Sequence, residues 1–451
     1  MLLRLDRHPR SFKPVRAAGR VHSPRATEAR LILAVLPFLD LHPKGGEDPL
    51  GEGIAEELLL ALNRVEGLKV VSRTTSFPYG GSGLDRVEVG RSLRADTVLG
   101  GTIQAKGDLL TLRAELVEVH SGREIWSTCC DFERDDLMAN LELIIVGITS
   151  RLRFSPPARS RHVVNLKAFE YYLRGRNYYY RFNRQGMGLA AQMFRRSLEI
   201  DPNYARAWAG LANSAAYSYI YIERSEDQRE LAESSSRRAL QLDPDLAEAH
   251  ASRGVALSAT GLAAEAEDAF ETALRLDPNL FEAAYFYARH CFAAGMLERA
   301  VEYFEWAAAL RPEDFQAILL VAQVYHSLGV EDEAELARHR GLALVDERLE
   351  RAPDDVRARY LGANALVAVG DREKGLAWAR MARSLDPEDP MLLYNLGCIH
   401  ALAGEAEEAL DCLSAAIARG LTQKSWFLHD GDLDSIRSHP HFQELMNLLE
   451  R

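Results

Sequence analysis

Histidine and aspartate residues are concentrated near the carboxyl end of the sequence, in a spacing that could bind a metal ion. The residues are His429, Asp430, Asp432, Asp434, His439 and His441. Imidazole and carboxylate groups are common metal ligands, but no cysteine joins them and their spacing matches no zinc motif. We therefore predict no metal site here and interpret the segment as structural.

Two further short patterns could carry chemistry, and neither predicts an active site. Cys129 and Cys130 are adjacent in a predicted strand, where neighbouring side chains point to opposite faces. We expect one in the core and one exposed, rather than a redox pair. The glycine-rich run Gly80–Gly83 lacks the Gly-Lys-Ser/Thr of a phosphate-binding loop. The sequence predicts no catalytic residue and no cofactor, so we do not expect an enzyme.

Any binding residues must be positioned by the stretch 168–421, which contains a recurring helix-stop signal. Prolines recur along it at Pro202, Pro244, Pro278, Pro312, Pro353 and Pro387. The successive intervals are 42, 34, 34, 41 and 34 residues. Proline cannot continue a helix, and it disfavours the helical conformation in the residue before it. A period near 34 is typical of repeated helix pairs. The extra residues of the first interval fit the polar run 223–228.

Small residues recur at fixed positions within these intervals. When Pro278 is counted as position 32, Gly254, Ala266 and Ala273 occupy positions 8, 20 and 27. The next unit has Ala288, Ala300 and Ala307 at the same positions. This pattern resembles the tetratricopeptide repeat, in which small residues allow two antiparallel helices to approach closely. The resemblance implies a right-handed α-solenoid of about seven helix pairs over 168–421, followed by a capping segment at 422–451.

The resemblance also implies a groove that binds a partner. In tetratricopeptide repeats the first helix of each pair lines a concave surface, which positions 2, 5, 9, 12 and 13 face. In this sequence such positions hold Asn213, Tyr217, Tyr285, Arg289, Gln323, His326, Tyr360, Asn364 and Tyr394. Amide groups can hold a peptide backbone, and aromatic side chains can anchor a partner. Alternatively, the groove is unused or packs against the preceding domain of the same chain.

Residues 31–154 predict a separate α/β domain. Strands are expected at 31–38, 68–71, 97–104, 109–119 and 124–132, and helices at 50–65, 85–93 and 137–154. The motifs Ala34–Phe38, Gly53–Leu58 and Val98–Thr102 resemble the TolB amino-terminal-like domain, which often precedes tetratricopeptide repeats in bacterial regulators and cyclase-linked proteins. The predicted fold is therefore multi-domain, with a small α/β domain, a linker at 155–167 and an all-α solenoid.

Charge is distributed unevenly along the chain. The net charge is −12, yet residues 1–30 carry eight basic and two acidic side chains. We predict that they form a basic disordered tail, which either contacts nucleic acid or is a plain tail. The acidic remainder argues against nucleic acid as a partner. No apolar run reaches about 18 residues and the start lacks the apolar part of a signal peptide, so we expect no membrane span and a cytoplasmic location.

Together these patterns favour a non-catalytic scaffold or regulatory protein whose groove binds a protein or peptide. The alternative is a transcriptional or signalling regulator that acts with a DNA-binding or cyclase-type partner, with its basic amino-terminal arm contacting nucleic acid. The sequence leaves the identity of the partner and the oligomeric state open.

Overall fold

The computed structural model of the protein describes residues 31–41, 50–71, 76–80, 85–156, 165–312 and 314–449. The predicted basic tail and most of the predicted linker lie outside this part of the chain. Within it, a small sheet with helices on both faces is followed by helix pairs.

A mixed β-sheet organises the amino-terminal domain. Its strands are β1 (Leu31–Val35), β2 (Leu39–Asp40), β3 (Leu68–Val70), β4 (Thr97–Lys106), β5 (Leu109–Glu118) and β6 (Arg123–Glu133). The longer helices of this domain are Leu50–Asn63, Arg86–Ser92 and Leu137–Arg151. The strand order is β3-β1-β4-β5-β6, and β2 also pairs with β4. β1 runs parallel to β3 and β4, whereas β4, β5 and β6 are antiparallel.

Both faces of β1 are covered, which explains why its sequence is apolar without alternation. Leu33 belongs to the core that includes the helix Leu50–Asn63. Its neighbour Ala34 belongs to a second cluster on the other face, together with Val89 of the helix Arg86–Ser92. Successive side chains of the strand therefore enter two different cores.

Two local predictions in this domain need correction. The strand predicted over 31–38 ends at Val35, and beyond it Leu36 donates its N–H to the Leu99 carbonyl (2.8 Å). The next residue is a proline, which has no N–H to donate to a strand ladder. Cys129 is exposed, but Cys130 is only partly buried instead of lying in the core.

From Leu166 to Ala418 the chain forms seven consecutive helix pairs, which we number 1 to 7. The first helices are Leu166–Tyr179, Ala205–Tyr221, Ala247–Ala259, Phe281–Ala293, Phe315–Ser327, Val356–Ala368 and Pro390–Leu402. The second helices are Arg184–Ile200, Glu226–Leu242, Ala263–Leu276, Leu297–Leu310, Glu331–Arg351, Arg372–Leu385 and Ala406–Ala418.

The small residues of the repeat lie where the two helices of a pair touch. In pair 3, Ala266 and Ala273 are fully buried. A Cβ atom on Gly254 would lie only 2.8 Å from the ring of Phe270. The glycine thus leaves room for a bulky side chain to fill the seam between the helices. The prediction of tetratricopeptide-type helix pairs is confirmed.

The two proline intervals that exceed 34 residues correspond mainly to longer helices, and less to longer loops. The first helix of pair 2 has 17 residues, where that of pair 3 has 13. The second helix of pair 5 has 21 residues, where that of pair 4 has 14. In pair 2 residues 222–225 lie between the helices, so half of the polar run 223–228 is loop and half begins the second helix. The extension adds Ser218–Tyr221 beyond the usual end of the first helix.

The amino-terminal domain packs directly against the repeats. Its helix Leu50–Asn63 contacts pair 1 so closely that a Cβ atom on Gly53 would lie 2.0 Å from Leu173 Cδ1. Buried side chains of the sheet domain and of the helix pairs form one continuous apolar core. Part of the repeat surface is therefore covered by the preceding domain. Packing against that domain is one of the two alternatives given above for the groove.

After pair 7 the chain turns back across the repeats. A short helix (Lys424–His429), a 3₁₀ segment (Gly431–Ile436) and a last helix (Pro440–Leu448) follow. Gln423 Nε2 donates to the Ile220 carbonyl of pair 2 (2.8 Å), and Arg224 donates to the Thr422 hydroxyl. Residues 421–436, which we call the return segment, thus join the last pair to the second.

We expect Ala266→Leu to lower the free energy of unfolding by about 1–3 kcal/mol, because the larger side chain overpacks a closed helix seam. Ala264→Leu is the matched control, since Ala264 is exposed on the same helix. Denaturant unfolding of the full chain measures both variants. Equal midpoints for the two would show that Ala266 does not lie at a tight contact.

Candidate functional site

Inward-facing side chains of the first helices gather around two arginines, the first of which belongs to pair 4. Arg289 donates through Nε to the Tyr221 hydroxyl (2.8 Å) and through Nη1 to the Tyr285 hydroxyl (3.2 Å). Its guanidinium also lies over the Tyr221 ring, 4.6 Å from the centroid. The predicted groove residue Arg289 is therefore held by aromatic residues of its own chain.

The second arginine reaches the same tyrosines from pair 6. Arg357 donates through Nη2 to the Tyr285 hydroxyl (2.9 Å) and through Nη1 to the Tyr217 hydroxyl (3.4 Å). Its guanidinium lies 5.3 Å from the centroid of the Phe182 ring. Pairs 2, 4 and 6 and the turn of pair 1 therefore meet at one place. We call this group the arginine–tyrosine cluster: Phe182, Tyr217, Tyr221, Tyr285, Arg289 and Arg357.

The cluster holds two positive charges among neutral partners. In the part of the chain that the structure describes, neither Arg289 nor Arg357 forms an ion pair, and Arg357 Nε has no hydrogen-bond partner. Burial raises the pKa of Tyr217 and of Tyr221, so their hydroxyls stay protonated. Arg357 is only 8% exposed. A buried charge without a counter-charge is costly, so the tyrosine hydroxyls that accept hydrogen bonds from the two arginines are important to this arrangement.

The return segment covers the cluster with an aromatic side chain. The Trp426 ring is stacked on Tyr221 with 5.4 Å between centroids, and lies 5.9 Å from Tyr394. The Arg289 guanidinium lies 5.5 Å from the same tryptophan ring. The sequence marked Trp426 only as part of a cap. Its size and its place just after the last repeat were the signal that could have identified it as a groove residue.

Two aspartates of the return segment bind predicted groove residues of pairs 6 and 7. Tyr394 donates its hydroxyl to Asp430 Oδ2 (2.9 Å), and Asn364 donates Nδ2 to Asp432 Oδ2 (2.7 Å). All four side chains are buried. Asn364 and Tyr394 were predicted to bind a partner, and here they bind a segment of the same chain. As partner-binding residues they remain a prediction.

The two aspartates are electrostatically unfavourable neighbours. Burial raises the pKa of both carboxyl groups, and the charge of Asp430 raises that of Asp432 further. Hydrogen bonds from Tyr394 and Asn364 oppose these shifts without cancelling them. The ionised form of Asp432 is therefore disfavoured inside the protein.

Cys398 joins these aspartates in a group whose side chains could hold a cation. Its Sγ and one carboxylate oxygen each of Asp430 and Asp432 lie within 4.8 Å of one another. Each carboxylate already accepts a hydrogen bond, and burial raises the pKa of the Cys398 thiol. These features fit a hydrogen-bonded network within the chain.

The structure separates the histidines and aspartates that are clustered in sequence. His439 Nδ1 accepts the N–H of His441 at the start of the last helix (3.3 Å). His429 instead packs against pair 4, where a Cβ atom on Gly295 would lie 2.8 Å from its Nε2. The three imidazoles are therefore engaged separately.

The remaining predicted groove residues occupy different parts of the inner face. Gln323 and Tyr360 line a small void of about 50 Å³ beside the cluster, where burial raises the pKa of Tyr360 to about 12. His326 pairs with Glu331 at the start of the following helix. Asn213 lines a different cavity, next to the amino-terminal domain.

That cavity, of about 520 Å³, lies between the amino-terminal domain and the first four pairs, beside their direct contacts. Its walls carry paired charges: Glu56 with Arg176, Arg206 with Glu248 (3.5 Å), and Glu282 with Arg311 (2.7 Å). Burial alone would raise the pKa of Glu282, but the two nearby arginines lower it to about 2. Of these pairs, Glu56 with Arg176 joins the amino-terminal domain to the repeats, and Arg206 also pairs with Glu57 of that domain (2.5 Å).

Comparison with known families gives one match in each part of the chain. Residues 29–148 match the HilA/YgeH-like transcriptional regulator family, second domain. Residues 247–280, which contain pair 3, match a tetratricopeptide repeat family. The second match agrees with the helix pairs. The first does not confirm the TolB-like identity that the sequence motifs suggested.

A relative and several solved structures resemble parts of the chain. The protein named "Putative adenylate cyclase 3" of Rhizobium meliloti (strain 1021) is 29% identical over 203 residues, which are 44% of this chain and 35% of that protein. The chain thus spans about a third of that relative's length.

The similar solved structures are repeat proteins. A tetratricopeptide repeat protein from Parabacteroides merdae is 16% identical, with 62% of this chain and 99% of that chain covered and a TM-score of 0.35. YrrB, described as having an unusual peptide-binding site, is 21% identical over 41% of this chain and 92% of its own, with a TM-score of 0.28.

Among the described residues, no helix combines the length and the apolar character that a membrane span requires.

We expect Asp432→Asn to remove part of the pH dependence of stability. Because folding raises the pKa of Asp432, the folded state binds more protons, so wild-type stability falls as the pH rises above the unfolded value of about 4. The neutral amide of the variant does not ionise, so this fall in stability with pH is absent from it. Denaturant unfolding of the wild type and the variant at pH values of about 5 and about 8 tests this prediction.

Asp434→Asn is the matched control, because Asp434 is exposed in the same 3₁₀ segment. If Asp432→Asn and Asp434→Asn leave the same pH dependence as the wild type, the buried carboxyl pair does not titrate as described.

Proposed function

We propose that the protein is a non-catalytic regulatory scaffold, and that the inner face of its repeats binds a segment of a partner protein. The observation that supports this proposal is the manner in which the inner face holds the return segment. Residues predicted as partner-binding contact a helical piece of the same chain that is distant in sequence.

The contacts are of the kinds that recognise peptides. Backbone groups take part on both sides, since Gln423 donates to the Ile220 carbonyl (2.8 Å) and the Gly431 N–H donates to the Ser327 hydroxyl (2.9 Å). Trp426 supplies a buried aromatic anchor. Anchors of this type account for most of the free energy in many interfaces.

The return segment defines the chemistry of the partner. It presents an aromatic side chain, Trp426, followed by two acidic side chains, Asp430 and Asp432, to the tyrosine and asparagine of pairs 7 and 6. A partner segment with an aromatic residue followed by aspartate or glutamate would make the same contacts. Partner and return segment would then compete, so release of the segment regulates binding.

We expect the return segment to bind in trans once it is released in cis. A full-length variant with Trp426→Ala and Asp430→Ala should bind a labelled peptide of residues 421–437. The wild type should bind it at least about tenfold more weakly, because its own segment competes at a high effective concentration. Fluorescence anisotropy measures the affinity.

The control peptide carries the same two replacements and should not bind the released variant. Adding Asn364→Ala to the released variant should weaken peptide binding by about tenfold, since a hydrogen bond to a carboxylate is lost. Absence of peptide binding to the released variant, with its helical content intact, would contradict a peptide-binding inner face.

A second candidate function is supported by the match of residues 29–148 to a domain family of transcriptional regulators. In this case the protein acts with a DNA-binding or cyclase-type partner, and its basic residues 1–30 contact nucleic acid. The similarity to a protein named as a putative adenylate cyclase favours the same class of regulator.

An electrophoretic mobility shift assay separates the two candidates. If residues 1–30 contact DNA, the full chain should shift a duplex at low salt, and a chain lacking these residues should not, since their net positive charge drives phosphate binding. The first candidate predicts no shift by either chain. A shift that survives the deletion would place the nucleic-acid contact elsewhere in the chain.

A further inference from the structure

The geometry points to a binding site for a compact organic anion, bearing phosphate or carboxylate groups, between pair 2, pair 4 and the return segment. The site is a cavity of about 340 Å³ lined by Arg224, Arg229 and Arg289. We call it the arginine cavity. It does not depend on the proposed partner protein, because an anion can occupy it while the return segment is in place.

The walls of the arginine cavity are positively charged in a chain of net charge −12. Among the described residues, its lining contains no aspartate or glutamate. Arg224 donates to the hydroxyls of Tyr219 (3.2 Å) and Thr422, and Arg289 donates to tyrosine hydroxyls only. Of the three arginines, only Arg229 is paired with a carboxylate, that of Glu226 outside the cavity.

One wall of the arginine cavity is built by the insertion in pair 2. The first helix of this pair continues for four residues beyond the length seen in pair 3. That extension and the following loop contribute Tyr219, Tyr221 and Arg224 to the lining. A repeat of ordinary length would end before these side chains, so the departure from the 34-residue period creates the site.

The rest of the wall supplies the groups that an anion with an organic body requires. Ser258, Thr260 and Ser425 offer hydroxyl groups, and the Phe286 and Trp426 rings offer apolar faces. Guanidinium groups make strong hydrogen bonds to the oxygens of phosphates and carboxylates. The volume lies within the range of about 300–1,000 Å³ that is usual for small-molecule sites.

The strongest indication of a ligand is that two arginines of the wall lack a counter-charge. In the described residues Arg224 and Arg289 donate to hydroxyl groups and to no carboxylate. A charged group without a counter-charge in a partly buried site reduces stability. This arrangement favours a ligand with several acceptor oxygens.

A compact ligand fits the arginine cavity better than a peptide. Gln423, Ser425 and Trp426 form one side of it, so the return segment occupies the path along which an extended peptide would run. An anion held between Arg224 on the repeats and Ser425 on the return segment would bridge the two. Binding should therefore stabilise the docked return segment.

The test is isothermal titration of the full-length protein with pyrophosphate, as a phosphate probe, and with citrate, as a carboxylate probe. We expect at least one to bind with a stoichiometry of one and to raise the melting temperature. Arg224→Gln and Arg289→Gln should each weaken binding by about tenfold or more, because a charge-assisted hydrogen bond is lost. Arg196→Gln, an exposed arginine on pair 1, is the matched control and should leave the affinity unchanged.

The inference can still be tested if one of the two arginine variants is unstable. Arg289→Gln removes a partly buried side chain, but Arg224 is exposed and its replacement should preserve folding. Binding of pyrophosphate alone identifies a phosphate ligand, and binding of citrate alone identifies a carboxylate ligand. The inference is wrong if neither binds, or if affinity is the same in wild type, Arg224→Gln and Arg196→Gln. Tight binding of an acidic peptide without either small anion would replace it with a protein ligand.

Discussion

A guanidinium group that is buried without a carboxylate governs the arrangement of the repeats. Arg357 can place its donors only if Tyr217 and Tyr285 present their hydroxyls from pairs 2 and 4. These residues are 140 and 72 positions away in sequence. Because an unsatisfied buried charge is costly, this hydrogen bonding fixes pair 6 against pairs with which it shares no sequence neighbourhood.

The return segment completes the same arrangement from the other side. Within the described ranges, Asp430 and Asp432 form no ion pair with Arg289 or Arg357; they accept hydrogen bonds from Tyr394 and Asn364. Asp430 nevertheless lines the same small void as Arg289 and Arg357, so acidic and basic groups share one low-dielectric interior. Some polar groups of the inner face are thus paired by hydrogen bonds within the chain. Two arginines of the arginine cavity, by contrast, have no carboxylate partner in the described residues.

Sequence patterns predicted the helix pairs because their causes are local. Proline ends each helix, and small residues such as Ala266 occupy tight seams wherever they occur in the period. The resemblance to tetratricopeptide repeats implied the inward direction of Tyr285 and Asn364. It did not imply their partners, because Asn364 and Asp432 are 68 residues apart and nothing in either local sequence specifies the contact. The polar run 223–228 located the insertion in pair 2, but it did not show that the insertion also lengthens the first helix over Ser218–Tyr221.

Joining the second and last pairs changes how such a chain must fold. A linear array of repeats has contacts between neighbours only, so it can form stepwise from any point along its length. Here Arg224 meets Thr422 and Gln423 meets Ile220, at separations of 198 and 203 residues. Such contacts require a very long loop to close before they contribute stability, which slows the final folding step. The same closure makes pairs 2 to 7 unfold together, where an open array would lose its end repeats first.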